Sequence, residues 1–264
     1  MGKIISIVNQ KGGVGKTTTA VNLAAFIGLK GYKVLLVDID PQGNSTSGFG
    51  VNKREIERSS YDVLIGTSKF DEVVIHTQFE GVDLLPANMN LAGAEIEIIE
   101  LDKRESRLKI ALAEQTEKYD FIFLDCPPSL GLITINALNA SDTFLVPIQS
   151  EYYALEGLTQ LMNTVRQIKR LYNPRLEMEG VLVTMFDGRL NLTQQVVREV
   201  KKAFPKKLYS HSIPRNVRLS EAPSYGQPIA YYDKSSKGAD AYNDFANEFL
   251  KYNGLKPLKN KKGR

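Results

Sequence analysis

Six short apolar runs punctuate the chain, at residues 4–8, 34–37, 82–85, 121–124, 144–146 and 181–183. They are rich in Val, Ile, Leu and Phe and continuous rather than alternating, the pattern of strands covered on both faces. Helical periods lie between several of them, most clearly where Leu158, Leu161, Met162, Val165 and Ile168 recur at three- and four-residue spacings. Strand and helix therefore alternate. This predicts an α/β fold with a doubly wound, mostly parallel sheet and helices on both faces, with ligands beyond the carboxyl ends of the strands. No internal repeat is visible. Residues 50–90 form the least regular stretch, and residues 253–264 read as a frayed basic tail on a single domain spanning 1–252.

Composition narrows the class without choosing a function. A chain of 264 residues that is 42% hydrophobic and 24% charged is an ordinary globular one. No apolar run approaches the roughly 20 residues that cross a bilayer, and no signal-peptide pattern is present, so a cytoplasmic protein is expected. Cys126 is the single cysteine, and His76 and His211 are the two histidines. That excludes an internal disulfide and a His/Cys metal cage, leaving oxygen ligands for any metal. The net charge of +4 comes from the end of the chain: residues 251–264 carry six basic side chains and no acidic one, which leaves −2 for the rest. Nucleic acid would thus meet a local patch or the tail, not a uniformly basic body.

Chemistry concentrates after the first apolar run, in Asn9-Gln-Lys-Gly-Gly-Val-Gly-Lys-Thr-Thr-Thr19 followed by a helix-like stretch at 20–30. In a strand, glycine loop and helix, backbone N–H groups and a helix N-terminus converge on an anion. Gly12, Gly13 and Gly15 let the amides turn inward, Lys16 is spaced to reach the β- and γ-phosphates of a nucleotide, and the Thr17 hydroxyl to ligate Mg2+. Gln10 stands where the common P-loop pattern has its first glycine. Lys11 adds a second cation, which Lys16 would repel unless negative charge lay between them. Lys11 therefore reads as serving a phosphate other than its own or as a solvated loop lysine. The second run ends in Asp38-Ile-Asp40-Pro-Gln-Gly-Asn44, and Pro41 stops the strand. Asp40 then sits in the loop over the phosphates, where a carboxylate can orient the attacking water or take its proton. Asp125, at the end of the fourth run, matches an acid that holds Mg2+ directly or through water; the alternative is a cap on the next helix. Cys126 beside it reads as packed core.

These residues resemble a known family. Lys11-Gly-Gly-Val-Gly-Lys-Thr-Thr18, Asp38-Ile-Asp-Pro-Gln-Gly-Asn44 and Asp125-Cys-Pro-Pro-Ser-Leu-Gly131 are similar to the deviant Walker A ATPases, P-loop NTPases in fold. Within that group the resemblance is to the ParA/Soj chromosome and plasmid partitioning proteins. Ser150-Glu-Tyr-Tyr-Ala-Leu-Glu-Gly157 and Ile213-Pro-Arg-Asn-Val-Arg-Leu-Ser-Glu-Ala-Pro223 support it, so it runs from about Lys3 to about Phe249. It implies that ATP and Mg2+ are held by Lys11, Gly12, Gly13, Val14, Gly15, Lys16, Thr17 and Thr18, with Asp125 in the metal shell and Asp40 positioning the hydrolytic water. It also implies that Lys11 crosses to the partner's phosphate in an ATP-sandwiched homodimer. Such a dimer binds double-stranded DNA on the nucleoid without sequence preference, until a ParB-like partner stimulates hydrolysis. Arg189 and Arg218 match positions that the family uses for DNA. Lys201, Lys202, Lys206, Lys207 and Arg215 enlarge that basic set, whose plainer reading is a solvated face. Pro214 is expected beside the adenine.

Three competitors are weighed. A MinD-like membrane ATPase needs an amphipathic C-terminal helix, whereas residues 252–264 hold glycines, a proline and two leucines. An iron–sulfur-carrying relative needs more cysteine than Cys126 provides. A non-hydrolysing, nucleotide-gated interaction module would use the same carboxylates only to hold metal.

Overall fold

The protein is described from a computed structural model over residues 1–151 and 154–258. Seven strands, β1 (Lys3–Ile7), β2 (Val34–Asp38), β3 (Ile75–His76), β4 (Val82–Leu85), β5 (Phe121–Asp125), β6 (Thr143–Gln149) and β7 (Glu177–Thr184), form one sheet. Their order is β3-β4-β2-β5-β1-β6-β7. Every pair is parallel except β3 with β4. All six apolar runs are strands, and β6 and β7 extend well beyond their runs. The antiparallel edge β3 went unforeseen, since two residues, one of them the exposed His76, carry no period.

Side chains alternate between the two faces of a strand, and here both faces are covered. Leu35 and Val37 of β2, with Ile122 and Leu124 of β5, join a core formed with the helices Ser60–Ile65, Leu91–Ile99, Arg107–Leu112, Leu132–Ala140, Ala154–Leu171 and Asn191–Ala203. Val34, Leu36, Phe121 and Phe123 point the other way, against the helices Lys16–Leu29 and Lys237–Tyr252. The continuous apolar runs have this physical cause. Leu158, Leu161, Val165 and Ile168 are all buried within their predicted helix.

Two boundaries differ from expectation. The first helix starts at Lys16, not at residue 20, because the left-handed Gly15 sets its start and the Thr-rich first turn has no apolar period. The tail is also less loose than its composition suggests. Tyr32 Oη donates to Lys256 O at 2.7 Å, and Leu258 N to Lys30 O at 2.9 Å, so residues 253–258 lie against the body. Residues 259–264, and Tyr152 and Tyr153 of the 150–157 motif, lie outside the described residues.

β1 lies beside β5, and the chain leaves β1 toward β2 on one side of the sheet but leaves β5 toward β6 on the other. The carboxyl ends of β1 and β5 therefore form a topological switch point, where α/β sheets open a crevice for ligands.

Candidate active site

The loop after β1 is fixed by its neighbours. Asn9 Nδ2 donates to Pro147 O at 2.8 Å, and Asn9 Oδ1 accepts from Lys11 N at 3.0 Å. Thr184, at the end of β7, donates from Oγ1 to Val14 O at 2.8 Å and to Ile148 O at 3.0 Å. Gly13 (φ 74°) and Gly15 (φ 84°) adopt the left-handed conformation that favours glycine. A Cβ placed on Gly12 or Gly13 would meet nothing within 4 Å, so the space before these amides is open. Lys16 Nζ donates to Lys11 O at 3.2 Å, and the residue is only 7% exposed. Burial lowers its pKa, opposed by the nearby carboxyl groups of Asp125 and Asp40.

The Lys11 ammonium instead pairs with the carboxylate of Glu151, just past β6, and both side chains stay partly exposed. The two lysines of one loop thus have different partners and different solvation.

Two fully buried carboxylates, Asp38 and Asp125, stand side by side at the ends of β2 and β5. Burial raises both pKa values, and the charge of Asp125 raises that of Asp38 further. Ser45 Oγ donates to Asp125 Oδ2 at 2.7 Å. The other oxygen, Oδ1, is buried with no hydrogen-bond partner, while the nearby Thr17 hydroxyl favours the charged form. A buried, unpartnered carboxylate oxygen beside a P-loop threonine is a donor set that fits Mg2+, a hard cation that takes oxygen ligands. The open cradle at Gly12 and Gly13 fits a polyphosphate. The alternative role of Asp125 fails, because the next helix begins after Gly131. Asp40 lies in the loop beyond β2, 8% exposed, with Oδ1 accepting from Gln42 N at 2.9 Å. Cys126 is buried, and burial pushes its thiol pKa up, as expected of core.

Pro214 lines a cavity of about 300 Å³ together with Gly15, Thr18, Thr184, Met185 and Asn216. Met185 has a φ of 50°, a conformation costly for a non-glycine residue and commonest at ligand sites. Sequence reasoning missed Ser45, Thr184, Met185 and Glu151. Ser45 follows the quoted Asp38–Asn44 motif directly, Thr184 follows an apolar run and Glu151 lies in the quoted 150–157 motif, but Met185 gives no local signal.

A family model described as AAA domain matches residues 2–178. Over 94% of its length and 98% of the relative's, the chain is 57% identical to the sporulation initiation inhibitor protein Soj of Bacillus subtilis. To the chromosome partitioning protein ParA of Myxococcus xanthus it is 49% identical, covering 95% of this chain and 89% of that one. The chain belongs to the ParA/Soj family of chromosome partitioning ATPases. Among solved structures, a Mycobacterium smegmatis chain described as cobyrinic acid a,c-diamide synthase with bound ADP and magnesium shares the fold. Its TM-score is 0.84 at 34% identity, covering 98% of this chain and all of that one.

In this ParA/Soj member the predicted basic residues are less free than their count suggests. The guanidinium of Arg189, its side chain 89% exposed, forks onto Asp187 through Nε (2.9 Å) and Nη2 (2.6 Å), holding that carboxyl down at about 2. Arg218 Nη1 donates to Glu221 at 2.8 Å, and its Nε lies 3.4 Å from Asp233. Lys202 pairs with Glu199 at 2.7 Å. Lys201 is exposed in the last turn of the helix Asn191–Ala203, and Lys206 and Lys207 lie past its end.

Proposed function

We propose that this chain binds Mg-ATP at residues 11–18, dimerises through the bound nucleotide, and in that state binds double-stranded DNA without sequence preference. Hydrolysis, stimulated by a ParB-like partner, returns it to the free form in the cytoplasm. The observation that carries this reading is the contrast between the two loop lysines. Lys16 is buried and bonded to its own loop, whereas Lys11 is partly exposed and, among the described residues, paired with Glu151 alone. An exposed ion pair is worth about 1 kcal/mol at most, so the phosphate of a second copy can displace Glu151.

Within each copy, Thr17 and Asp125 would hold Mg2+, which supplies positive charge to the phosphates. Asp40, in the loop beyond β2, orients the attacking water or accepts its proton. The cavity by Pro214 and Met185 takes the adenine, and the ADP and magnesium of the Mycobacterium smegmatis relative support a nucleotide on this fold. Arg189, Lys201, Lys202 and Arg218 meet DNA phosphates, which requires Asp187, Glu199 and Glu221 to yield their partners. The membrane reading draws no support from residues 253–258, which lie against the body without forming a helix. No helix among the described residues is long and apolar enough to cross a membrane.

The test is binding of random-sequence duplex DNA with no nucleotide, ADP, ATP or a slowly hydrolysed ATP analogue, at two salt concentrations, with molar mass followed by light scattering. Salt-sensitive binding that arrives with the dimer, in ATP or the analogue only, is expected. Equal binding in all four nucleotide conditions, or a dimer that ignores DNA, would overturn the DNA reading.

A further inference from the structure

Asp38 has no role in the chemistry above, yet it is fully buried and accepts three hydrogen bonds from one loop. Its Oδ2 takes Thr46 N and Thr46 Oγ1, both at 2.8 Å, and its Oδ1 takes Asp40 N at 3.2 Å. No cation pairs with it among the described residues. Burying a carboxylate is costly, and here the compensation comes entirely from donors of the segment it precedes. The two ends of residues 40–46 are thereby tied to one side chain. Thr46 Oγ1 also accepts from Ala87 N at 2.9 Å, anchoring the same point to the chain beyond β4. At Gly43 (φ 60°) an added Cβ would come within 2.9 Å of Ala87 O, so the middle of the loop is pressed against the same support. Between these anchors sit Asp40 and Ser45, the latter bonded to Asp125.

We infer that Asp38 and Thr46 form a clasp that positions Asp40 for hydrolysis, Asp38 being a positioning residue that touches neither nucleotide nor water. This rests on the proposed role of Asp40. It separates two properties that a nucleotide-binding residue would join, because opening the clasp frees the loop with Asp40 while the phosphate loop at 11–18, held by Asn9 and Thr184, keeps its shape.

The experiment uses the full chain in three variants, Asp38→Asn, Thr46→Val and Thr46→Ser. It measures hydrogen exchange of the 39–47 segment, the ATP dissociation constant, and single-turnover hydrolysis of Mg-ATP with random-sequence duplex DNA present. Asp38 ties the loop through three hydrogen bonds at once, so about tenfold to a hundredfold faster exchange at Gly43 and Thr46 is expected in Asp38→Asn, and less in Thr46→Val. Hydrolysis should fall by about tenfold or more while ATP affinity changes less than about threefold, and Thr46→Ser, which keeps the hydroxyl, should restore both. Unchanged exchange, or faster exchange with unchanged hydrolysis, overturns the clasp. Loss of ATP affinity in step with turnover overturns it too, by assigning Asp38 to the nucleotide. Should Asp38→Asn fail to fold, the two Thr46 variants decide alone. If the unaltered chain hydrolyses nothing, the Asp40 reading falls and the positioning role with it, while exchange still reports whether the loop is clasped.

Discussion

The nucleotide end of the sheet and the basic face beyond β7 both rest on charged side chains, and the fold treats the two sets in opposite ways. Lys16, Asp38, Asp40 and Asp125 are nearly or wholly withdrawn from water, and among the described residues their side-chain hydrogen bonds go to the loops they serve. Arg189, Arg218 and Lys202 stand in solvent, each answered by an acid two or three residues away. Burial makes a charge dependent on one geometry, because the penalty for losing a partner is large; exposure leaves it free to exchange partners at little cost. The first region is built to hold one arrangement, and the second leaves its cations able to change partners.

The largest effect expected from this contrast is at Asp40. Asp40→Ala should lower hydrolysis by about 10² to 10⁴-fold and leave ATP affinity within a few-fold, because general base or water-orienting groups act on the reaction and not on ground-state binding. Rapid-quench turnover beside equilibrium nucleotide titration measures both. An unchanged rate would remove the clearest functional distinction of the buried region.

Next in size is a pH effect on the free protein. Burial raises Asp38 to about 7 and Asp125 to about 6, above their unfolded values. A carboxyl with a raised folded pKa is more readily protonated in the folded than in the unfolded state. Its stabilising contribution is therefore complete below about pH 4 and is lost as pH rises through about 6 to 7. Without metal and nucleotide, Asp125→Asn should come nearest the unaltered chain near pH 4 and exceed it near pH 8, by several degrees in Tm. Thermal melts in chelator across this range test it, and parallel curves for the two proteins would mean that burial does not force the carboxylate.

The same contrast explains what the sequence made legible. Six strands were readable because both faces of the sheet are covered, and the place of Lys16 and Thr17 at a helix start and of Asp125 at a strand end followed from the apolar runs just before them. Contacts that close the site from afar were not. Thr184 reaches Val14 across 170 positions and Glu151 reaches Lys11 across 140, and neither the apolar run before Thr184 nor the 150–157 motif that holds Glu151 names the partner. Met185, with its positive φ, lines the cavity beside Pro214, and no local pattern marks it. The ion pairs of the basic face went unforeseen for another reason. Asp187, Glu199 and Glu221 were in plain view beside Arg189, Lys202 and Arg218, but counting cations alone cannot say which are already paired.

The smallest expected effect probes that pairing directly. If Asp187 occupies the fork of Arg189 in the free protein, a DNA phosphate must displace it, and the net gain from the phosphate contact is reduced by what the internal pair was worth. Exposed pairs are worth about 0.2–1 kcal/mol, with bidentate geometry at the upper end, so Asp187→Asn should tighten DNA binding by about two- to fivefold at low salt. Removing a carboxylate also removes a general repulsion from DNA, which would mimic the result. The double variant separates the two causes: in an Arg189→Ala background, the Asp187→Asn gain should vanish if it acts through the fork and persist if it acts through net charge. Fluorescence anisotropy on a short duplex with the slowly hydrolysed ATP analogue resolves a twofold change. A persistent gain would place the DNA contact away from Arg189, with Lys201 as the next candidate because no carboxylate is bonded to it among the described residues.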